Sequence, residues 1–168
     1  MLKLFKELSP FIENCYSEFG VREYSRILKI TAPTSSKMLK NFFSEGLLNK
    51  REERGNLLFR ANRESGIFLD ISRSYWKQKL NKLIDYLNSE LYTPTIILFG
   101  SLSNLEAKKD SDIDLMVLTT LKKEINLKEF EKNLGRKVQL FLFKSLSFIP
   151  KNLKNSAING YLIQGELK

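Results

Sequence analysis

Two short polar motifs, each beside an apolar segment, carry the residue types with the most evident chemistry in this sequence. An apolar run over 95–99 ends at Gly100 and Ser101. After ten intervening residues, Asp112 and Asp114 open a second apolar run. Because residues i and i+2 of a strand point to the same face, this spacing predicts two carboxylates that are presented together.

The two motifs together predict a site for a nucleoside triphosphate. A pair of carboxylates suits Mg²⁺ or Mn²⁺, hard cations that take oxygen ligands and keep positions open for substrate phosphates. The backbone N–H groups and the hydroxyl of Gly100 and Ser101 suit a phosphate. We therefore expect Asp112 and Asp114 to be the metal-binding and catalytic residues, and Gly100 and Ser101 to bind the phosphates. The alternative interpretation is a turn followed by a strand with solvated acids.

The order and spacing of these motifs resemble the signature of the DNA polymerase beta-type nucleotidyltransferase superfamily. The string Ser-Asp-Ile-Asp-Leu at 111–115 is especially similar to the minimal nucleotidyltransferases of archaea and bacteria. The resemblance covers about 93–168, where Asn159 and Gly160 match the turn before the closing strand of such enzymes. It implies a small mixed sheet flanked by helices. It also implies metal-dependent transfer of a nucleoside monophosphate, most commonly from ATP, to a hydroxyl.

One position departs from that signature in a way that bears on catalysis. The third strand of similar enzymes usually carries a third carboxylate, and the matching position here is Gln139. A glutamine can offer a neutral carbonyl oxygen to a metal, but it cannot accept a proton as a general base does. The resemblance therefore leaves two alternatives open: an active transferase, or a DNA-binding transcriptional regulator or antitoxin whose nucleotidyltransferase domain is catalytically degenerate.

A second departure follows the Gly-Ser pair. Similar minimal enzymes commonly continue with x-Ala-Arg-Gly, whereas this sequence has Ser103, Asn104 and Leu105 in the last three places. The arginine that would face a phosphate is therefore missing. Lys108 or Lys109 could substitute for it, although a solvated turn explains the two lysines equally well.

The amino-terminal half has the pattern of a DNA-binding domain. Helical spacing over 2–15 and 21–28 precedes a helix-start cluster whose helix ends near Gly46, and a hairpin follows around 54–56. Three helices and a hairpin are the order of a winged helix-turn-helix, and 21–60 is similar to that domain of small bacterial and archaeal regulators. This resemblance places the third helix in the major groove. The candidate DNA contacts are Thr34, Ser35, Lys37, Lys40 and Asn41 on that helix and Arg51 and Arg54 on the wing.

An apolar stripe between the two halves predicts a helix that joins them. Its members are Trp76, Leu80, Leu83, Ile84, Leu87 and Leu91. The expected fold class is α+β, with a winged helix-turn-helix at 1–64, a linker helix at 65–92 and a nucleotidyltransferase domain at 93–168. The winged unit could also serve only as a protein-interaction module, and the tryptophan-headed stripe could form the seam of a homodimer.

Composition excludes several kinds of site. The chain has no histidine among its 168 residues, which removes Ser-His-Asp catalysis, histidine-ligated zinc and a histidine general base. The single cysteine, Cys15, excludes an intramolecular disulfide and suits a reducing compartment. The apolar runs are much shorter than a membrane span. We expect a cytoplasmic protein that has no membrane partner.

Net charge points to a polyanionic partner. The sequence carries a formal charge of +9, which favours double-stranded DNA, although many lysines can serve solubility alone. The excess is spread over the chain, with 16 basic and 11 acidic residues before Thr93 and 12 and 8 from there onward. The family resemblance adds a partner protein, since minimal enzymes of this type often modify a HEPN-type toxin as antitoxins.

Overall fold

A computed structural model describes residues 1–121 and 123–167. Their contacts divide the chain into two compact units. The first comprises Met1–Ser72 with the short segment Leu105–Lys109, and the second comprises Arg73–Asn104 with the residues from Asp110 onward. None of the helices in the described ranges combines the length and the apolar content needed to span a bilayer.

The first unit consists of three helices and a three-stranded sheet. Its elements are α1 (Lys3–Glu13), β1 (Glu18–Gly20), α2 (Val21–Leu28), α3 (Ala32–Ser44), β2 (Leu48–Glu53) and β3 (Asn56–Ala61). Both strand pairs are antiparallel, in the order β1-β3-β2. The core includes Phe11, Tyr24, Leu39 and Phe59, each at most 1% exposed.

Local chemistry explains where the elements of this unit begin and turn. The hydroxyl of Thr31 accepts a hydrogen bond from the amide of Thr34, 3.4 Å away, which caps the start of α3. Arg54 and Gly55 both have positive φ, at 49° and 74°, as a two-residue hairpin turn requires. The sequence predicted a helix start and a hairpin at these places. It did not predict β1, because three residues are too few to show the alternation of a strand.

The second unit contains a mixed four-stranded sheet. Its order is β6-β5-β4-β7, with β5 and β6 parallel and the other pairs antiparallel. A mixed sheet with flanking helices was expected for this half. The strands are β4 (Thr95–Phe99), β5 (Ile113–Leu118), β6 (Val138–Phe143) and β7 (Tyr161–Gln164), and the helices are α5 (Asn81–Leu91), α6 (Lys128–Leu134) and α7 (Lys151–Ile158).

Two helices form over 66–91, where the sequence predicted a single linker helix at 65–92. The helix α4 covers Gly66–Lys79, and α5 begins two residues later, after Leu80. All six residues of the apolar stripe are buried, because both helices present that stripe to the interior of the protein. The single linker helix predicted at 65–92 is therefore wrong, because the stripe did not reveal the break between the helices.

One face of the sheet forms a compact apolar core. Ile97, Phe99 and Met116 on the central strands are buried with Ile149 and Ala157, which lie near and on α7. The central strand β4 is buried on both faces, since Ile96 and Ile97 are each 0% exposed. Such packing gives the ends of β4 and β5 a rigid base.

Candidate functional site

The two polar motifs lie side by side where the two central strands of the sheet meet, at the end of β4 and the start of β5. Phe99, the last residue of β4, pairs with Asp114 on β5 in antiparallel register. Gly100 follows with a φ of 70°, and a Cβ atom at this position would collide with the Asp114 carboxylate. Glycine is therefore required here both by the left-handed backbone and by the space that the carboxylate occupies.

The two aspartates lie close enough to influence each other. Asp112 immediately precedes β5 and Asp114 is its second residue, so both side chains project from one face. Partial burial raises the pKa of the Asp114 carboxyl above its ordinary value, and the negative charge of Asp112 raises it further. Two carboxylates that repel each other in a partly desolvated place form a site that favours a cation.

Gln139 lies directly beside this pair. In the parallel register of β5 and β6 it is opposite Asp114, and its Nε2 donates a hydrogen bond to Oδ2 of Asp112 over 2.7 Å. The strand position where the family pattern has a third carboxylate therefore does reach the site. Here it supplies a neutral amide donor to the Asp112 carboxylate.

Among the residues that the structure describes, no other acid takes the place of that third carboxylate. Glu131 accepts a hydrogen bond from the backbone N–H of Val138 at 2.9 Å, so its side chain is engaged with the start of β6. Throughout the described residues, no three His, Cys, Asp or Glu side chains cluster closely enough to hold a metal. Two carboxylates fit a Mg²⁺ ion that also takes oxygens from a bound triphosphate.

Comparison with known families agrees with this geometry. The family model described as "Polymerase beta, Nucleotidyltransferase" matches residues 81–164, half of the chain. The chain belongs to this nucleotidyltransferase family. Neither a curated protein nor a solved structure matches it. The matched range contains Gly100, Ser101, both aspartates and Gln139, so the family assignment and the local geometry concern the same part of the molecule.

The turn after β4 in the nucleotidyltransferase domain is a single 3₁₀ turn over Gly100–Ser103. Ser101 is partly buried in it, while the hydroxyl of Ser103 donates to the carbonyl of Gly100 at 2.9 Å. Leu105 has a φ of 56°, the left-handed conformation that a glycine adopts readily. The chain thus keeps at Leu105 a backbone conformation that suits the glycine of the family pattern, although the residue type differs.

The lysines considered as substitutes for the missing arginine are both exposed. Lys108 has its Nζ 5.7 Å from the centre of the Tyr16 ring. The segment that contains it belongs to the first unit, where the backbone N–H of Cys15 donates to the carbonyl of Ala107 at 2.8 Å. The structure thus places Lys108 beside the ring of Tyr16. Asn104, which occupies the position of the missing arginine, is exposed.

Replacing Gly100 with alanine should disrupt the candidate site more than it disrupts the fold. The left-handed backbone costs an alanine about 1–2 kcal/mol, and the new methyl must displace the Asp114 carboxylate. We expect a modest loss of thermal stability together with loss of nucleotide binding, measured by calorimetry. Gly135→Ala is the matched control, because Gly135 also has positive φ, at 66°, but has open space around its Cβ position. Equal effects of both substitutions on binding would contradict the close approach of Gly100 and Asp114.

The candidate DNA contacts on α3 fall into two groups. Thr34, Lys37, Lys40 and Asn41 are exposed, as expected for an outward face. The expectation that Ser35 also faces outward is wrong. Ser35 is 0% exposed, and its hydroxyl donates to the carbonyl of Val21 at 2.9 Å, so it joins α3 to the start of α2. A small polar residue in the first turn of a helix gave no sign of this partner, since the acceptor is 14 residues away in sequence.

The two arginines of the hairpin also differ. The Arg51 guanidinium contacts Glu18 through Nε at 2.9 Å and Glu53 through Nη2 at 2.9 Å, and the hydrogen bond with Arg51 lowers the pKa of Glu18. Its charge is therefore offset by two carboxylates. Arg54 is exposed at the tip of the hairpin.

A groove between α2 and the hairpin contains Arg22 and Arg26, which sequence reasoning missed, together with Arg54, which it had named as a candidate contact. It has a volume of about 970 Å³, and Arg22, Arg26 and Arg54 line it together with Glu23 and Glu53. Nothing in the local sequence brings Arg26 and Arg54 together, since they are 28 residues apart and only the tertiary fold places the hairpin beside α2.

Proposed function

We propose that this protein binds a magnesium–nucleoside triphosphate, probed most directly with ATP, at Gly100, Ser101, Asp112 and Asp114, and that it acts as a nucleotide-responsive DNA-binding regulator. The observation that carries the proposal is the close approach of Gly100, just after β4, to the carboxylate of Asp114 on the neighbouring central strand β5. The Gly-Ser turn would receive the phosphates, and the two aspartates would hold the metal beside them. When bound, Mg²⁺ (or Mn²⁺) neutralises phosphate charge and orients the triphosphate.

Gln139 favours binding over rapid transfer. Nucleotidyl transfer to a hydroxyl needs a group that accepts the proton of that hydroxyl, and an amide cannot do so. The amide Nε2 of Gln139 instead donates a hydrogen bond to Oδ2 of Asp112. A domain with this substitution is suited to hold a nucleotide and to report its presence.

Transfer of a nucleoside monophosphate to a hydroxyl is the second candidate function. It is favoured by the family to which the chain belongs and by the presence of both aspartates and the Gly-Ser turn in one place. In this case Asp112 or Asp114 would accept the proton of the acceptor hydroxyl, its oxygen would bond to the α-phosphorus, and pyrophosphate would leave. The acceptor could be a protein such as a HEPN-type toxin.

Incubation with α-labelled ATP and Mg²⁺ or Mn²⁺ separates the two functions. Duplex DNA and a HEPN-type protein would be offered as acceptors, and the Asp112→Asn/Asp114→Asn double variant would be the control. Metal-dependent binding of label without transfer supports the regulator. Transfer that the double variant lacks supports the enzyme, and absence of metal-dependent binding contradicts both.

We further propose that the first unit is a winged helix-turn-helix that binds duplex DNA, with α3 in the major groove. The order of its elements supports this, as do the exposed Lys37, Lys40 and Asn41 on α3. Arg22, Arg26 and Arg54, which line one groove, would add phosphate contacts at the edge of that surface. Arg51 would contribute less, because Glu18 and Glu53 already offset its charge.

Removal of Lys37 and Lys40 tests the DNA surface. The Lys37→Ala/Lys40→Ala variant should bind duplex DNA about tenfold more weakly, and its log–log salt slope should become less negative by about 2, since each lost phosphate contact contributes about 0.9. Fluorescence anisotropy over a salt series measures both quantities. Lys82→Ala/Lys132→Ala removes the same charge from exposed helical positions of the second unit. If the control lowers affinity as much, binding is due to net charge and not to α3.

A further inference from the structure

Two arginines outside the motifs contact backbone carbonyls beside them. Arg136, just before β6, is only 9% exposed, and its Nη1 donates to the carbonyl of Ser111 at 2.6 Å. The next residue, Lys137, accepts a hydrogen bond from the amide of Ile113 at 2.8 Å through its carbonyl. The backbone on both sides of Asp112 is therefore held by the segment that carries Arg136.

The buried guanidinium of Arg136 also has an aromatic support. It lies 5.3 Å from the ring of Trp76, which is 0% exposed. A planar guanidinium stacks well on an aromatic face while its N–H groups donate in its own plane. The ring of Trp76 thus gives the Arg136 cation a buried, attractive neighbour.

Arg73 makes an analogous contact with the other motif. Its Nε donates to the carbonyl of Ser103 at 3.1 Å, and its guanidinium lies 5.8 Å from the ring of Tyr161. The hydroxyl of Ser103 in turn donates to the carbonyl of Gly100. A chain of two hydrogen bonds therefore connects Arg73 to the first residue of the Gly-Ser turn.

Both contacts depend on α4, which lies outside the range that the family model matches. Arg73 and Trp76 are three residues apart on this helix, so they share one face, and the matched range begins at residue 81. Arg73 of α4 therefore contacts the turn after Gly100 directly. Trp76 of α4 contacts Arg136, which in turn donates to the carbonyl of Ser111, the residue before Asp112.

We propose that Arg136 and Arg73 are positioning residues of the site: Arg136, supported by Trp76, places Asp112 for the metal, and Arg73 places the Gly100–Ser101 turn for the phosphates. The part of this inference that concerns ligands rests on the proposed nucleotide binding. The part that concerns the local backbone does not, and it can be tested without any ligand.

Hydrogen–deuterium exchange of the ligand-free full chain tests the backbone part. Arg136→Met should speed exchange in 109–116 and leave 100–104 unchanged, whereas Arg73→Met should do the reverse. In both variants the buried strand β4 should keep its protection, which separates a local effect from unfolding. Lys132→Met, an exposed lysine on α6, is the control for loss of one charge. Faster exchange everywhere, or in neither segment, overturns the inference.

Calorimetry with Mn²⁺ alone and with ATP in EDTA tests the ligand part. Arg136→Met should weaken Mn²⁺ binding about 10- to 100-fold, the usual effect of removing a group that orients a metal ligand. It should leave metal-free ATP binding unchanged, whereas Arg73→Met should weaken ATP binding and leave Mn²⁺ binding unchanged. Arg136→Lys should recover part of the Mn²⁺ affinity. Equal losses for both ligands in both variants would mean a general structural role and would overturn the assignment.

The two measurements distinguish failure of this inference from failure of the proposed function. If the wild-type protein does not bind ATP even in the presence of Mn²⁺, the proposed function fails, while the exchange data still decide whether the arginines hold the two loops. If the wild-type protein binds both and the variants bind equally well, the inference alone fails.

Discussion

Asp112→Asn and Asp114→Asn should each abolish Mg²⁺-dependent nucleotide binding, with affinity falling at least about a hundredfold. Each change removes a full negative charge beside a divalent cation while keeping nearly the same shape. The site offers no third carboxylate within the described residues to compensate. Calorimetric titration with Mg²⁺ and ATP measures the effect. Retention of wild-type affinity in either variant would show that the metal lies elsewhere.

The stability of the ligand-free Asp114→Asn variant provides an internal control for this prediction. The pKa of Asp114 is raised in the folded state, by burial first and by Asp112 second. A raised pKa means that stability is lost as pH rises from the ordinary range of aspartate through the folded-state value, above which the ionised carboxylate destabilises the fold by its full amount. In EDTA at neutral pH, the asparagine variant should therefore unfold at a higher temperature than wild type. The difference should shrink as pH falls below the ordinary range of aspartate, where the carboxyl is neutral in both states.

Gln139→Asp should convert a weak or inactive transferase into an efficient one. It installs a carboxylate at the position opposite Asp114 on β6, removes the amide that donates to Asp112 and adds one negative charge. A positioned general base contributes about 10²–10⁴ to the rate of such reactions. We expect a gain of this order in transfer from α-labelled ATP, together with tighter Mn²⁺ binding.

The matched control for this gain is Gln139→Asn, which has the same length as aspartate but no charge. It should bind metal no better than wild type, and its rate of transfer should not rise. A gain in both variants would mean that shortening the side chain opened the site. No gain in either, with intact metal binding, would mean that the acceptor or another missing group limits transfer, which favours the regulator.

Many helices, strands and turns of the fold could be predicted from the sequence, because each depends mainly on residues close to it along the chain. The helix over Val21–Leu28 and the strand over Val138–Phe143 follow from apolar spacing, and the hairpin follows from the Arg54-Gly55 turn. The helix α7 (Lys151–Ile158) escaped prediction, since only Ala157 on it is fully buried and its pattern is weak. The break at Leu80 also escaped, because an apolar stripe continues through both helices without a glycine or proline.

The sequence by itself determined which residues could do chemistry: the Gly-Ser pair, Asp112 and Asp114, and the replacement of a carboxylate by Gln139. It did so because residue type and spacing along one strand are local properties. Only the tertiary structure decided that Gln139 donates to Asp112, that Ser35 is buried and that Arg51 is offset by Glu18. Those contacts join residues 14 to 33 positions apart, and nothing in the intervening chain encodes them. The contacts of Arg73 and Arg136 belong to the same class, since a guanidinium finds its carbonyl only after the helices and strands have packed.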